Sequence, residues 1–167
     1  MAVPKRHQSL PGTYFVTSRT WESRQLFKKK EACRIFVDSL LRYRDKGTYR
    51  LHGFVLMPEH FHILLTPAEE ITIERAIQFI KGGSARQIGN ELAFPVWQRG
   101  FSDHRVRDEQ DFREHLKYLE QNPVKRGLCR AAEEYEFSSA SGEYMLNNVP
   151  QRLKPPENFE AAKLRHG

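Results

Sequence analysis

The sequence has no long apolar run, few cysteines and no apolar N-terminal segment. Nowhere among its 167 residues do about 18 or more apolar residues follow one another, so no membrane-spanning helix is expected. Residues 1–7 lack the apolar core of a secretory signal peptide. The two cysteines, Cys33 and Cys129, lie far apart and match no zinc-binding spacing. These absences predict a cytoplasmic protein that makes no use of a membrane.

The chain does contain enough apolar residues to fold without disulfide bonds. Hydrophobic residues make up 39% of it, including 11 Phe and 6 Tyr. Its length suits one domain with a real core, and no internal repeat is visible. We predict a single domain over residues 1–146, followed by a polar, proline-rich tail over 147–167.

Positive charge is in excess along the chain. Lys and Arg together number 27 against 21 Asp and Glu, which gives a formal net charge of +6 and a pI of about 9.4. Such an excess favours a polyanionic partner, and nucleic acid is the first candidate. Charge alone does not identify a function, because many basic proteins bind no particular polyanion.

Two histidines, His60 and His62, lie one residue apart within the apolar run 54–65. Side chains alternate faces along a β-strand, so both imidazoles point one way while Phe61 and Ile63 point the other way. Two imidazoles on one face can bind a divalent cation. The alternative for an isolated His-x-His pattern is two histidines on a solvent-facing strand surface, since most histidines bind no metal.

Apolar spacing along the chain predicts four strands and three helices. Strands are expected at 14–20, 49–57, 60–66 and 96–106, and helices at about 29–46, 72–92 and 108–121, with a short helix near 139–145. Gly82 and Gly83 are expected to weaken or break the second helix, and Pro123 to end the third. The order of elements predicts an α+β fold: a ferredoxin-like βαββαβ antiparallel sheet with helices on one face, followed by a C-terminal helix.

Tyr118 and Asn122 share a face of that third helix, because they are four residues apart. A phenol becomes a useful nucleophile when a cation or base stabilises the phenolate or when a metal polarises the electrophile. The oxygen of an Asn side chain is a good ligand for a hard cation, so His60, His62 and Asn122 could hold Mg²⁺ or Mn²⁺. The alternative for Tyr118 is an ordinary packing tyrosine on an amphipathic helix.

Three pieces of the chain together carry a family resemblance. They are residues 10–17 (LPGTYFVT), 55–65 (VLMPEHFHILL), and 97–101 (WQRGF) with 118–128 (YLEQNPVKRGL). In this order they resemble the single-tyrosine, IS200-like transposases of the HUH class, and in particular the REP-associated tyrosine transposases. Glu59 stands where such proteins also have Asn, a departure that removes no ligand.

The resemblance implies a metal-dependent single-stranded DNA endonuclease and strand transferase, a transposase acting on hairpin-associated repeat DNA. It assigns a divalent metal, Mg²⁺ or Mn²⁺, to His60, His62 and Asn122, and makes Tyr118 the nucleophile on the C-terminal, catalytic helix. The intermediate would be a 5′-phosphotyrosine, so no nucleotide cofactor is needed. A monomer or a homodimer associated with the nucleoid is expected.

Two other functions remain open at this point. One is a regulator derived from a transposase, which binds hairpin DNA or RNA and can dispense with catalysis. The other is a small zinc hydrolase using the histidine pair, which the lack of a third His or a suitably spaced carboxylate disfavours.

Several cations are candidates for contacts with a phosphate backbone. For each of them the competing interpretation is a solvated surface residue that binds no DNA. Trp97, Tyr14 and Phe101 are candidates for stacking on bases, with two of the three expected in the core instead. The candidate nucleic-acid-binding residues are Lys5, Arg6, Arg19, Lys81, Arg86, Arg99, Arg105 and Arg107.

Overall fold

The computed structural model describes residues 11–150 and Leu153, so the predicted contacts of Lys5 and Arg6 lie outside the described residues. No helix in the described part is both long enough and apolar enough to cross a membrane. Single 3₁₀ turns occupy Trp21–Ser23, Leu26–Lys28, Ala132–Glu134 and Ser139–Ser141, the last being shorter than the helix predicted at 139–145. The strands are β1 (Tyr14–Arg19), β2 (Tyr49–Leu56), β3 (His60–Pro67) and β4 (Ser102–Arg105), and the helices are α1 (Lys30–Asp45), α2 (Ile73–Glu91) and α3 (Glu109–Lys125).

The four strands form one antiparallel sheet in the order β2-β3-β1-β4. This order is the ferredoxin-like arrangement that the sequence of elements predicts, so the predicted fold class is confirmed. β2 and β3 form a hairpin across Pro58 and Glu59, closed by a 2.8 Å bond from Met57 N to His60 O. β1 lies between β3 and β4 at the centre of the sheet.

One face of the sheet is covered by α1 and α2. Alternate residues of the central strands, among them Val16, Phe61 and Ile63, are fully buried in a cluster with residues of these two helices, such as Phe36 and Ile77. The core therefore forms where the alternate apolar residues of the strands contact the apolar residues that recur every three to four positions along the helices.

The other face of the sheet is covered by α3. Val55 and Leu64 pack there with Phe112 and Leu119 of the helix. A side chain at Gly53 would place its Cβ only 2.6 Å from Cδ1 of Leu116, so the glycine allows α3 to approach β2 closely. The catalytic helix predicted from the resemblance is thus set against the face to which His60 and His62 belong.

The second helix is not broken at Gly82 and Gly83, because α2 runs through both. A Cβ at Gly83 would lie 2.5 Å from Ser39 Oγ and 2.5 Å from a ring carbon of Tyr43. The absence of a side chain therefore lets α1 and α2 pack closely, and this contact outweighs the low helix propensity of glycine.

The strand predicted at 96–106 is largely wrong in its extent, since β4 contains only Ser102–Arg105. Gly100 has a positive φ of 77° and interrupts the extended chain. Before it, Trp97 makes only an isolated bridge with Thr20. The segment 96–101 is thus a loop along the sheet edge.

The prediction that Pro123 ends the third helix is also wrong. Pro123 lies within α3, which continues to Lys125. Proline forfeits one backbone hydrogen bond, but the bond from Arg126 N to Asn122 O (3.1 Å) and that from Gly127 N to Val124 O (3.0 Å) hold the last turn. Gly127, at φ 72°, supplies the left-handed residue that commonly follows a helix.

The start of the predicted tail is hydrogen-bonded to β2. Asn147 donates its backbone N–H to Leu51 O (2.8 Å) and accepts at Oδ1 from Leu51 N (2.9 Å). His52 Nδ1 lies 2.8 Å from Asn148 O. Division of the chain at 146/147 remains a prediction, and most of the tail lies outside the described residues.

Candidate active site

His60 and His62 lie side by side on the sheet face covered by α3. Both are buried, and their ring centroids are 4.7 Å apart. Their Nε2 atoms face each other at 3.1 Å. The register of β3 against β1, with Arg19 opposite His60 and Thr17 opposite His62, places both imidazoles on an inner strand, beside the last residues of β1.

The far nitrogen of each imidazole has a hydrogen-bond partner. His60 Nδ1 lies 3.0 Å from Glu59 Oε1, and His62 Nδ1 lies 2.6 Å from Thr17 Oγ1. A carboxylate only accepts, so His60 carries its proton on Nδ1 and turns the Nε2 lone pair towards His62. Hydrogen bonds of this kind fix the tautomer of metal-binding histidines.

Glu59 links the histidine pair to the end of α3. Its Oε1 also accepts from Nη1 of Arg126, the residue that caps α3. Burial opposes ionisation of Glu59, but the hydrogen bonds from Arg126 and His60 outweigh it and hold the pKa of the carboxyl below its usual value. Oε2 is buried and has no hydrogen-bond partner among the described residues.

Burial keeps both imidazoles neutral at physiological pH. It lowers the pKa of His62 to about 3, and repulsion from Arg19, and from His60 whenever that ring is protonated, acts in the same direction. Burial also lowers the pKa of His60, despite the opposing effect of Glu59. Neutral imidazole is the form that binds metals.

Helix α3 brings Asn122 and Tyr118 to the same place. Asn122 Nδ2 donates to His62 Nε2 at 3.0 Å, and the amide is buried. Rotation of this amide by half a turn would present its oxygen to the same point. The Tyr118 ring lies 5.4 Å from the His62 ring, is 46% exposed, and has Nζ of Lys125 at 5.6 Å over its face.

The three convergent groups suit a divalent cation. His60 Nε2 offers a lone pair 3.1 Å from His62 Nε2, and the Asn122 amide lies 3.0 Å from the same His62 atom. Neutral imidazole nitrogens and an amide oxygen are all suitable metal ligands. The four predicted residues, His60, His62, Tyr118 and Asn122, are therefore gathered at one point of the fold.

The candidate nucleic-acid-binding residues are not gathered in this way. Arg19 is exposed and lies near both histidines, whose pKa values it helps to lower. Lys81 on α2 is bonded to Gln98 O (2.8 Å) and Gly100 O (2.9 Å), and burial lowers its pKa to about 8. Of the remaining described candidates, Arg107 lies beside Asp111, Arg105 donates to Pro11 O at 2.7 Å, and Arg86 and Arg99 are exposed.

The aromatic candidates for base stacking are mainly packing residues. Tyr14 is buried in the core, and Trp97 packs against Phe27, Phe36 and Phe61. Phe101 is partly buried against the same cluster.

Four residues that contribute to the site were missed from the sequence. Thr17 and Glu59 contact the histidines, Arg126 contacts Glu59, and Lys125 lies over Tyr118. Lys125 follows Tyr118 by seven residues and Arg126 follows Asn122 by four, spacings that share a helix face. Because the third helix was predicted to end before Pro123, Lys125 and Arg126 were not expected to share a helix face with Tyr118 and Asn122.

Comparison with known proteins gives one consistent family. The sequence model of the family described as "Transposase IS200 like" matches residues 13–122. The chain is 25% identical to a REP-associated tyrosine transposase of Escherichia coli over 142 residues, which cover 83% of this chain and 82% of that one. It is 29% identical over 96 residues to a relative from Haemophilus influenzae named as a REP-associated tyrosine transposase, covering 50% of this chain and only 54% of the relative.

Solved structures show the same fold. A REP-associated tyrosine transposase bound to a REP hairpin superposes with a TM-score of 0.67 at 23% identity, over 92% of this chain and 94% of that one. A transposase structure from Deinococcus radiodurans superposes with a TM-score of 0.50 at 20% identity, over 72% of this chain and 97% of that one.

Proposed function

Because this chain belongs to the IS200-like transposase family, we propose that it is a metal-dependent endonuclease and strand transferase for single-stranded DNA. The proposed substrate is hairpin-associated repeat DNA, and the proposed intermediate is a DNA strand joined by its 5′-phosphate to a tyrosine. A solved structure that covers 92% of this chain is that of a REP-associated tyrosine transposase bound to a REP hairpin, which supports a hairpin as the substrate.

The observation that carries the proposal is the position of Tyr118. It is a half-exposed phenol whose ring lies 5.4 Å from a buried imidazole, one helical turn before Asn122. A tyrosine that served only packing would have its ring covered. The exposed side chain is accessible to a phosphodiester that approaches from solvent.

The residues present fit a divalent cation. His60 and His62 through Nε2, and Asn122 through its amide oxygen, would hold Mg²⁺ or Mn²⁺, and the nitrogen ligands favour Mn²⁺. When bound, the ion would polarise a phosphoryl oxygen and neutralise developing charge. Glu59 and Thr17 keep the two imidazoles turned with Nε2 towards this point.

The proposed reaction exchanges one phosphodiester for another. The Tyr118 oxygen attacks the phosphorus, its proton passes to solvent, and the bond from phosphorus to the 3′ oxygen breaks. The departing 3′ oxygen takes a proton and becomes a hydroxyl. The ammonium of Lys125, over the Tyr118 ring, favours the negative charge of the approaching phosphate. Since the new ester retains the bond energy, a 3′-hydroxyl can later reverse the step without a nucleotide cofactor.

The experiment is to incubate the protein with a 5′-labelled and a 3′-labelled hairpin oligonucleotide in the presence of Mn²⁺. A covalent adduct with the 3′-labelled strand, resistant to denaturing gel conditions, is expected for the wild type and is expected to vanish in Tyr118→Phe. Tyr43→Phe is the matched control, because Tyr43 lies on α1 across the sheet from the site.

Two outcomes would contradict the proposal. One is a wild-type protein that binds the hairpin but forms no adduct with Mn²⁺, which would favour a binding regulator. The other is an adduct that survives Tyr118→Phe.

A further inference from the structure

We infer that His104, Asp111 and His115 form a second metal site, separate from the His60–His62 pair, that takes a divalent transition-metal ion of the Zn²⁺ class. The proposed site joins β4 to the beginning of α3. It plays no part in the strand-transfer reaction proposed above and does not depend on that proposal.

The three side chains meet because of where the fold places their elements. His104 lies on β4, paired with Phe15 of β1, and its side chain points to the face covered by α3. Asp111 and His115 are four residues apart near the start of α3 and so share a helix face. One ligand atom from each of the three residues lies within 4.8 Å of the other two.

The carboxylate of Asp111 is held in position before any metal binds. Asp111 is only 4% exposed, and its Oδ2 accepts from Arg107 N at 2.9 Å. Its own N–H donates to Asp108 Oδ1 at 2.8 Å, the cap of the helix. Burial opposes ionisation, but the Arg107 and His104 hydrogen bonds outweigh it and lower the pKa of Asp111. A fixed anion is therefore present at neutral pH.

Both imidazoles already converge on this carboxylate. His104 Nε2 lies 2.7 Å from Oδ2. His115 Nδ1 lies 3.0 Å from Oδ1 and also 2.8 Å from the backbone oxygen of Asp111, a contact that an ion would have to displace. The rings are stacked with centroids 4.6 Å apart and planes 19° apart. An ion bound here would replace the N–H donors, so the coordinating nitrogen of each ring must be free of its proton. Each ring must also turn to bring the ion into its plane.

The donor set selects the class of metal. Two imidazole nitrogens and one carboxylate oxygen suit Zn²⁺ and its neighbours, with the fourth position left for water. The His104 side chain is 39% exposed, which gives the ion a route in and gives this ring freedom to turn.

Arg107 is the group that opposes the ion. Its Nε lies 3.5 Å from Asp111 Oδ2, so its guanidinium already balances the carboxylate. The side chain is 70% exposed and can swing into solvent. Removal of this positive charge by Arg107→Gln should therefore strengthen metal binding, whereas a change to any of the three ligands should weaken it.

The two sites are neighbours but do not share a ligand. The Phe15 ring lies between them, with centroid distances of 5.3 Å to His62 and 4.8 Å to His115. Variants of either site can therefore be tested separately.

The test is a titration of the metal-free protein with Co²⁺, a spectroscopic substitute for Zn²⁺, followed by visible absorption and by ¹⁵N chemical shifts of the histidine rings. The wild type should bind one equivalent that moves the shifts of His104 and His115, in addition to any equivalent that moves those of His60 and His62. His60→Ala/His62→Ala should still bind one equivalent.

His104→Asn and His115→Asn should each lose the second equivalent or weaken it by at least about 10- to 100-fold, the loss typical of removing even an outer partner of a metal ligand. His104→Asn is the safer variant for folding, because that side chain is partly exposed. Arg107→Gln should bind the second equivalent more tightly than the wild type. The inference would be overturned if the wild type bound only one equivalent and His60→Ala/His62→Ala lost it. It would also be overturned if His104→Asn and His115→Asn bound the second equivalent as tightly as the wild type does.

Discussion

Glu59 connects three structural elements through one carboxylate oxygen. Its Oε1 accepts from His60 on β3 and from Arg126 at the end of α3, while Glu59 itself lies in the turn after β2. The pair with Arg126 fixes the carboxylate, and the carboxylate fixes the tautomer of His60. Glu59 is thus a positioning residue for the proposed metal.

Replacement of this carboxylate should weaken the proposed metal site without unfolding the protein. Glu59→Gln keeps the shape of the side chain but removes the charge that stabilises Nδ1–H of His60 and pairs with Arg126. We expect the affinity for Mn²⁺ to fall by about 10- to 100-fold, measured by calorimetric titration. Glu69→Gln, at an exposed position before α2, is the control. Equal Mn²⁺ affinities for Glu59→Gln and the wild type would show that His60 does not depend on Glu59.

At the scale of single helices, α2 shows how two adjacent glycines can have opposite roles. Gly83 faces α1, where a Cβ would collide with Ser39 and Tyr43, whereas a Cβ at Gly82 would meet nothing within 4 Å. Both have the conformational freedom that makes glycine unfavourable in a helix. Only at Gly83 does packing against α1 compensate for this low helix propensity.

The two alanine variants should therefore change stability in opposite directions. Gly82→Ala should raise the free energy of unfolding by about 0.5–1 kcal/mol, the gain in helix propensity. Gly83→Ala should lower it by about 1–3 kcal/mol, because the added methyl group forces α1 and α2 apart. Urea unfolding followed by circular dichroism measures both. A gain in stability for Gly83→Ala would mean that the helix pair adjusts freely, contrary to the tight contact.

Helix α3 depends on interactions that a local sequence pattern does not contain. The residue before a proline is biased away from helical geometry, which is why the sequence predicts an end near Asn122. In the fold, Asn122 and Pro123 are buried against the sheet, and the last turn is closed by bonds to Gly127 and Leu128. Tertiary packing offsets the backbone hydrogen bond that the proline forfeits. The extra turn places Lys125 and Arg126 at the site.

For the molecule as a whole, the sequence predicts those features that repeat along the chain. Strand and helix periodicity gives the order of elements, and the one-residue spacing of His60 and His62 gives their shared face. Contacts between distant residues, such as Thr17 with His62 or Arg126 with Glu59, have no local signature. The distribution of charge is likewise a property of the fold: Arg19 lies by the histidines while Lys81 is bonded to a loop.

The net charge of +6 leads to a prediction about DNA binding by the whole molecule. If phosphate contacts dominate, the logarithm of the affinity for a single strand should fall linearly with the logarithm of salt concentration, by about 0.7 per phosphate neutralised. Arg19 is exposed beside the proposed site, so Arg19→Ala should weaken binding and make the slope shallower by about 0.7. Arg34→Ala changes another exposed arginine, which lies on α1 behind the sheet, and should leave the slope unchanged. Fluorescence anisotropy with a labelled oligonucleotide at several salt concentrations measures both. A flat salt response in the wild type would mean that the basic residues are incidental, and equal slopes for the two variants would place the DNA path away from Arg19.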